Sequence, residues 1–135
     1  MPFLIKSPGT INPGTISDDK IMNIDFAPTL LDFAGLSIPE EMQGRSFKNT
    51  FTKNSDTKRN AVYYHYYEYP IWHNVQPHYG VRTDKYKLIH FYYSMDEWEL
   101  YDMDADPHEM NNIYENADPG LISKLKFKPV SYTHL

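Results

Sequence analysis

Two histidines and an arginine stand close together in the stretch "HNVQPHYGVRT", as His73, His78 and Arg82. A neutral imidazole can donate and accept hydrogen bonds, and a guanidinium pairs with anions. The segment "HNVQPH" reads as a loop leading into a strand, and Gly80 permits close approach of a backbone or a ligand. The pattern favours a site where these polar side chains bind a ligand hydroxyl or anion. The structural alternative is that Arg82 pairs with a core carboxylate and the histidines are surface residues.

Two other groups of residues have the chemical types of a metal site. Asp102, Asp104 and Asp106 have the spacing that opens an EF-hand calcium loop, but Pro107 stands where that loop needs glycine and Ile113 where it needs glutamate. The second group consists of His65, His73, His78 and His90. A zinc site usually has closely paired ligands, often with cysteine, and these four histidines have neither feature. We therefore expect no metal ligand in this chain.

The sequence contains no complete catalytic set. It has no cysteine, no G-x-S-x-G elbow, no H-E-x-x-H pair and no phosphate-binding glycine loop. Glu68 follows His65 by three residues, which in a strand places the two side chains on opposite faces, so they cannot act together as an acid–base pair. We expect no catalytic residue in this chain.

Composition limits the class of protein. With 135 residues, 41% hydrophobic and 23% charged, the chain has the size and balance of one globular domain with one core. A net charge of −5 without a dense run of lysine or arginine argues against nucleic acid and anionic membrane surfaces as partners. No apolar run is long enough for a membrane span. The 12 tyrosines suit a partly wet surface or a ligand cleft.

The first third of the chain carries a helix signal. Residues 28–34 combine an apolar face with Pro28 in the first turn and Gly35 just past the end, which predicts a helix there. A strand-like segment is predicted before it, near residues 20–25.

The middle of the chain carries strand signals. The run "AVYYHYYEY" predicts a strand, "HYGVRTDKYKLIHFYY" predicts two strands joined by a tight turn at Asp84-Lys85, and "EWELYDM" predicts another. A helix is predicted to begin at Pro107, with Asp106 as its N-cap and Glu109 completing a capping box. The expected result is an antiparallel sheet of three or four strands, followed by a helix.

Four segments, in this order, resemble the C-terminal part of the type I sulfatases, which belong to the alkaline-phosphatase superfamily. "MPFLIKSPGTINPGT" is similar to R-x-P-x-I-x-x-P-G-x-I-x-P-G, and "NIDFAPTLLDFAGLSIPEEMQGRSF" to D-x-x-P-T-[IL]-L-x-x-A-G…P-x-x-x-Q-G-x-S. "YGVRTDKYKLIHFY" resembles G-[VI]-R-T-x-x-[YW]-K-[YL]-I, and "WELYDMDADPHEMNNI" resembles E-L-Y-D-L-x-x-D-P-x-E-x-x-N. Four such motifs in the right order, covering residues 1–116, are specific.

This resemblance implies an α/β fold class with two parts. Residues 1–50 would be the end of an alkaline-phosphatase-like α/β core, a sheet strand followed by a helix, and residues 61–116 a small C-terminal antiparallel sheet with a covering helix. Residues 117–135 are expected to form a tail of unassigned structure, because "FKPVSYTHL" does not resemble the family's C-terminal helix. The family's arginine before "MPFLI" is absent, so Met1 is expected to be an internal methionine or a truncation point.

The resemblance also implies a reaction. Type I sulfatases hydrolyse sulfate esters with a formylglycine nucleophile made from a C/S-x-P-x-R motif and with a Ca²⁺ ion that orients the sulfate. This sequence has no such motif, so the chain alone is expected to be inactive. The expected partner of the full-length enzyme is a sulfated glycan. Because members of this family are usually exported, the resemblance also implies a periplasmic, extracellular or lysosomal location for the enzyme.

Substrate contacts are implied for one loop. In relatives that act on sulfated sugars, the loop before G-[VI]-R-T touches the substrate, which makes His78 the first and His73 the second expected sugar-binding residue. Arg82 is expected to be structural, because its motif recurs in relatives whatever their substrate. Two alternatives are a free-standing aromatic-rich carbohydrate-binding module and a fragment of a related phosphoester hydrolase.

Overall fold

Residues 3–51, 58–70 and 72–133 are described by the computed structural model of the chain. The chain divides into two units, Met1–Arg59 and Asn60–Leu135. Each unit is built around its own set of aromatic and aliphatic side chains.

Helix α1 is the main element of the first unit and spans Phe26–Phe33. It follows a short 3₁₀ helix at Asn23–Asp25, and a second one lies at Lys48–Phe51. Gly35 adopts φ 71°, and the N–H of the next residue, Leu36, donates to the Leu31 carbonyl at 2.9 Å, which closes the helix as a left-handed C-terminal cap. The predicted helix and its glycine cap are confirmed.

The strand predicted near residues 20–25 is wrong. The Asp25 carboxylate accepts the N–H of Met22 at 2.7 Å, and the Asp25 N–H donates to the Met22 carbonyl at 3.0 Å. These two bonds fold the segment back on itself, which prevents an extended strand. Nor does the described part of this unit contain the sheet strand implied before the helix, because the Ser7 carbonyl accepts the N–H groups of Thr10 and Ile11 in a turn.

A buried ion pair and a ring cluster hold the first unit together. Asp25 is fully buried, and both of its oxygens accept hydrogen bonds from the Arg59 guanidinium. The Thr29 hydroxyl donates to the Asp25 carbonyl at 2.6 Å and accepts the Phe47 N–H at 3.0 Å. Aromatic contacts complete the cluster, with ring centroids 5.0 to 6.2 Å apart. The rings belong to Phe3, Phe26, Phe47 and Phe51.

The second unit is a four-stranded antiparallel sheet in the order β1-β2-β3-β4. Its strands are Ala61–Tyr66 (β1), His78–Thr83 (β2), Tyr86–Phe91 (β3) and Glu97–Asp102 (β4). Each lies where aromatic and β-branched residues predicted a strand, and β2 turns into β3 at residues 84–85. The predicted sheet is confirmed.

The helix that covers this sheet was predicted at the wrong place. Residues 107–108 form a turn, and Glu109 has φ 57°, a left-handed conformation that a helix cannot contain. The Asp106 carboxylate instead accepts the N–H of Asn111 at 2.7 Å, and the Glu109 carboxylate pairs with Lys87 on β3.

Helix α2 spans Pro119–Thr133, within the stretch expected to form a tail without assigned structure. Its N-terminus is capped by the Asp118 carboxylate, which accepts the N–H of Leu121 at 2.8 Å. Leu125 of α2 packs against the sheet and completes a core whose other members are Ala61, Val81, Leu88 and Leu100.

Candidate functional site

The register of the sheet decides which side chains can act together. Residues directly opposite each other on neighbouring strands share a face, and His78 is opposite Tyr66 on β1 and Phe91 on β3. The next pair on the same face is Tyr64 and Gly80. We call this side the histidine face. The opposite side, the core face, contains Val81, Leu88 and Leu100 and packs on α2.

His78 lies at the start of β2 and is surrounded by three aromatic rings. Its imidazole stacks on Tyr66, with ring centroids 5.4 Å apart and an angle of 23°, and meets the edge of Tyr64 at 5.9 Å. On the other side the Phe91 ring is at 5.1 Å. These contacts fix the plane of the imidazole.

A backbone carbonyl fixes the proton of His78. Nδ1 is 2.8 Å from the carbonyl oxygen of Gln76, and because a carbonyl only accepts, Nδ1 carries the hydrogen. In the neutral ring, Nε2 is then a hydrogen-bond acceptor, and no described residue bonds to it. His78 therefore presents one oriented acceptor.

The Tyr66 hydroxyl next to His78 is buried and makes no hydrogen bond of good geometry within the described part of the chain. Burial and the nearby Glu68 carboxylate raise the pKa of Tyr66, so the hydroxyl keeps its proton at neutral pH. Burial also raises the pKa of Tyr64, with the Glu109 and Glu99 carboxylates adding to the effect. Sequence reasoning did not single out either tyrosine, although their i, i+2 spacing in a predicted strand places them on one face.

His73 occupies a different environment. It lies in the turn at residues 72–73 and is exposed, and no contact joins it to His78. The next residue, Asn74, adopts φ 47°, which reverses the chain between the turn and β2. The structure therefore places His73 in the loop before β2 and His78 in the first position of β2, and it does not bring their rings together.

Arg82 and Gly80 have structural contacts. The Arg82 guanidinium donates to the Asp84 carbonyl at 3.2 Å, which supports the β2–β3 turn. The structural alternative expected a core carboxylate as the partner of Arg82, and the bond goes instead to a backbone carbonyl. The close approach predicted at Gly80 is made by the Tyr64 ring.

The other two strand histidines lie on the core face, in hydrogen-bonded positions. His65 bonds through Nε2 to the Tyr92 hydroxyl at 2.8 Å and through Nδ1 to the Tyr63 hydroxyl at 3.2 Å. Burial lowers the pKa of His65, with a smaller contribution from the neighbouring His78. His90 contacts the Asp96 carboxylate at 2.6 Å and the Tyr79 hydroxyl at 2.9 Å. All four ring nitrogens are engaged, as expected for histidines in a sheet.

The aspartates with calcium-loop spacing act within turns. The Asp102 carboxylate accepts the N–H groups of Asp104 and Ala105 at 3.1 and 3.3 Å and lies 3.5 Å from the Lys85 ammonium. Burial raises the pKa of Asp102, but these backbone bonds and the lysine outweigh it, so the pKa is lowered overall.

No helix in the described part of the chain has the length and apolar character needed to cross a membrane.

Together, the ordered motifs, the four-stranded sheet and its helix define the C-terminal part of a sulfatase. Residues 1–129 match the model of the family described as N-sulphoglucosamine sulphohydrolase, C-terminal, and the chain belongs to this family. The family resemblance of the sequence motifs is thereby confirmed.

Two similar proteins are sulfatases that are much longer than this chain. An N-acetylglucosamine-6-O-sulfatase of Bacteroides thetaiotaomicron is 53% identical over 121 residues, which are 87% of this chain and 22% of the relative. The N-acetylglucosamine-6-sulfatase of Bos taurus is 29% identical over 158 residues, covering 95% of this chain and 28% of the relative. The chain therefore spans about a quarter of the length of these proteins.

Solved structures share the fold. A protein in complex with its substrate, D-glucosamine-2-N,6-O-disulfate, superposes with a TM-score of 0.83 at 48% identity, covering 93% of this chain and 27% of that one. The phosphonate monoester hydrolase of Agrobacterium radiobacter gives a TM-score of 0.64 at 22% identity, covering 81% of this chain and 24% of that one. The second likeness concerns the fold alone.

Proposed function

We propose that this chain is the C-terminal segment of a sulfatase that hydrolyses a sulfate ester on a sulfated glucosamine derivative. The observation that carries the proposal is the family match over residues 1–129, together with 53% identity to an N-acetylglucosamine-6-O-sulfatase. The 48% identical structure whose substrate is a disulfated glucosamine supports the same sugar class.

Within that enzyme, the two units would have separate roles. Residues 1–50, with helix α1, would belong to the end of the catalytic α/β core. The sheet of residues 61–102 with its covering helix α2 would form the smaller C-terminal subdomain. This division follows the family resemblance of the motifs, and the two compact units are compatible with it.

The nucleophile and the metal would come from the rest of the enzyme. Formylglycine requires a cysteine or serine in C/S-x-P-x-R, and this sequence has neither a cysteine nor that motif. Calcium prefers several converging carboxylates, whereas Asp25 is bound to Arg59 and Asp102 and Asp106 are bound to backbone N–H groups. The residues present do not fit either group, so this chain would contribute binding and orientation of the sugar and not the bond cleavage.

His78 would be the main sugar contact. The Gln76 carbonyl and the rings of Tyr66 and Phe91 hold the imidazole so that Nε2 can accept a hydrogen bond from a sugar hydroxyl or an acetamido N–H. His73, exposed in the loop before β2, would make a second and weaker polar contact. A pre-oriented acceptor loses little conformational entropy on binding, which favours specific recognition.

The test compares two substrates in the complete enzyme. His78→Ala should lower kcat/KM for 6-O-sulfated N-acetylglucosamine by roughly three- to tenfold, the value of one neutral hydrogen bond. A small aryl sulfate, which lacks the sugar hydroxyls, should be hydrolysed at an unchanged rate. His108→Ala removes an exposed histidine from the turn at 107–108 and is the matched control. Equal losses on both substrates would remove His78 from this role.

A further inference from the structure

Three large aromatic side chains border the loop that leads to His78. Tyr69 and Trp72 belong to the connection between β1 and β2, and Tyr93 lies just after β3. The Tyr69 and Tyr93 rings contact each other, with centroids 5.5 Å apart. Trp72 is 87% exposed and Tyr93 is 67% exposed. We call these three residues the aromatic rim.

The two segments that carry the aromatic rim are bound to each other. The Ser94 hydroxyl donates to the Gln76 side-chain oxygen at 2.8 Å, and the Tyr92 N–H donates to the Pro77 carbonyl at 3.3 Å. Gln76 is the residue whose carbonyl also holds the His78 imidazole. The same backbone therefore positions the rim and the proposed sugar contact.

One rim residue follows the strand position that is paired with His78. Phe91 is directly opposite His78 in the sheet, and Tyr93 follows Phe91 by two residues. The Tyr92 N–H between them donates to the Pro77 carbonyl, so the pairing of the two segments continues up to the residue before Tyr93. The rim thus follows directly on the paired strand ends that hold His78.

Charge decides what the rim can accept. No lysine or arginine occurs in residues 60–81 or 88–97, whereas the exposed Glu68 precedes Tyr69 and the exposed Glu97 is paired with Phe91 on the histidine face. These carboxylates repel a sulfate group. Aromatic rings without nearby cations instead offer a flat apolar surface for the C–H face of a neutral ring, with hydroxyl groups at the tyrosine tips.

We propose that the aromatic rim stacks on an uncharged sugar residue linked to the sulfated residue that His78 contacts. This inference rests on the proposed function and extends it. The preferred substrate is an oligosaccharide with a sulfated glucosamine next to an unsulfated, uncharged sugar, and the sulfated monosaccharide alone is hydrolysed less efficiently.

The experiment uses the complete enzyme and two substrates, a 6-O-sulfated N-acetylglucosamine and the same residue linked to unsulfated N-acetylglucosamine. Tyr93→Ala and Trp72→Ala should each lower kcat/KM for the disaccharide by about three- to tenfold, the value of one aromatic contact. Hydrolysis of the monosaccharide should not change. Tyr93→Phe and Trp72→Phe should retain the preference, because they retain a ring. Phe127→Ala, which removes an aromatic residue that is 72% exposed on α2, is the matched control.

Three results would overturn the inference. The first is a wild-type enzyme that does not favour the disaccharide, and the second is a disaccharide rate that the rim variants leave unchanged. The third is an equal loss on both substrates, which would show that the rim packs against the rest of the protein.

A binding measurement separates this inference from the proposed function. Calorimetric titration with the unsulfated disaccharide N,N′-diacetylchitobiose should show binding that Tyr93→Ala weakens and Phe127→Ala does not. If the enzyme hydrolyses neither sulfate ester, the proposed function fails, and the titration still decides whether the rim binds a neutral sugar. Absence of binding would overturn the inference even in an active sulfatase.

Discussion

The Tyr64 ring lies against the backbone of Gly80, directly across the β1–β2 pair. A Cβ atom at position 80 would stand 2.6 Å from the tyrosine ring and 2.7 Å from the Leu88 carbonyl oxygen. The ring occupies the space that a side chain would fill, and the carbonyl belongs to the sheet backbone, so neither neighbour can move away at low cost.

Gly80→Ala should destabilise the sheet. Forcing a methyl group into this contact should lower the free energy of unfolding by about 1–3 kcal/mol, as overpacking does elsewhere. Urea unfolding followed by circular dichroism measures the change. Gly120→Ala is the comparison for replacing a glycine outside the sheet, because a Cβ there stands 2.9 Å from the end of the Asp118 side chain and meets no sheet backbone. Wild-type stability in Gly80→Ala would show that the sheet backbone relaxes without cost.

The buried pair Asp25–Arg59 should stabilise the first unit strongly. Asp25 is fully buried and Arg59 nearly so, and removing one partner leaves an uncompensated charge. Asp25→Ala should therefore lower the free energy of unfolding by about 3 kcal/mol or more. The exposed residue Asp18 gives the control variant Asp18→Ala, which should unfold like the wild type. A small loss in Asp25→Ala would mean that water replaces the carboxylate.

Acid should weaken the same pair. Burial raises the pKa of Asp25, but hydrogen bonds from Arg59 and from the N–H groups of Arg45 and Met22 outweigh it and hold the pKa below its usual value of 3.8. A folded pKa below the unfolded one means that the stabilisation is complete above about pH 4 and is lost as the pH falls through the folded pKa. When the unfolding midpoint of the wild type is measured from pH 6 to pH 2, it should decrease once the pH is below about 4. Asp25→Asn should flatten this part of the curve, and an unchanged slope would contradict the assignment.

Lys126 should anchor helix α2 to the sheet. Its ammonium lies 3.7 Å from the centroid of the Trp98 ring and donates to the Tyr114 hydroxyl at 2.8 Å. Lys126→Met retains the aliphatic part but loses the cation–π contact, and should cost about 1 kcal/mol of stability. Thermal unfolding measures this cost, with Lys124→Met, an exposed position on the same helix, as the control. Equal losses of stability in Lys126→Met and Lys124→Met would show that the loss comes from removing a positive charge from α2 and not from losing the contact with Trp98.

The purified 135-residue chain should hydrolyse no aryl sulfate, with or without added Ca²⁺. It contains neither a cysteine nor an S-x-P-x-R motif from which formylglycine is made. A discontinuous assay with a chromogenic aryl sulfate checks this, and the complete enzyme is the positive control. Turnover above the blank would mean that a nucleophile in this chain has been overlooked.

Local sequence determined most of the secondary structure. Aromatic and β-branched residues are frequent in strands that each pair with the next strand along the chain, so local propensity and the final sheet agree. The Gly35 cap at the end of α1 is equally local, because only glycine adopts its φ of 71° without strain. The family motifs follow the same segments and needed no structure to be recognised.

The position of the covering helix was decided by long-range contacts. The sequence contains two Asp-Pro pairs, Asp106-Pro107 and Asp118-Pro119, and both have the local signature of a helix start. Only the second begins a helix. Residues after the first are drawn to β4: Asn112 bonds to the Leu100 N–H at 3.0 Å and the Trp98 carbonyl at 3.1 Å. Hydrogen bonds to an edge strand thus prevailed over helix propensity.

The sequence by itself determined the sheet strands, the family and the loop that carries His73 and His78. Only the tertiary structure decided that His78 is clamped by Tyr66, Phe91 and the Gln76 carbonyl, whereas His73 stays exposed. The physical reason is register: a shift of one residue in strand pairing would move His78 to the opposite face, and the partners of His78 across the sheet, Tyr66 and Phe91, follow from how the strands pair and not from the loop motif itself.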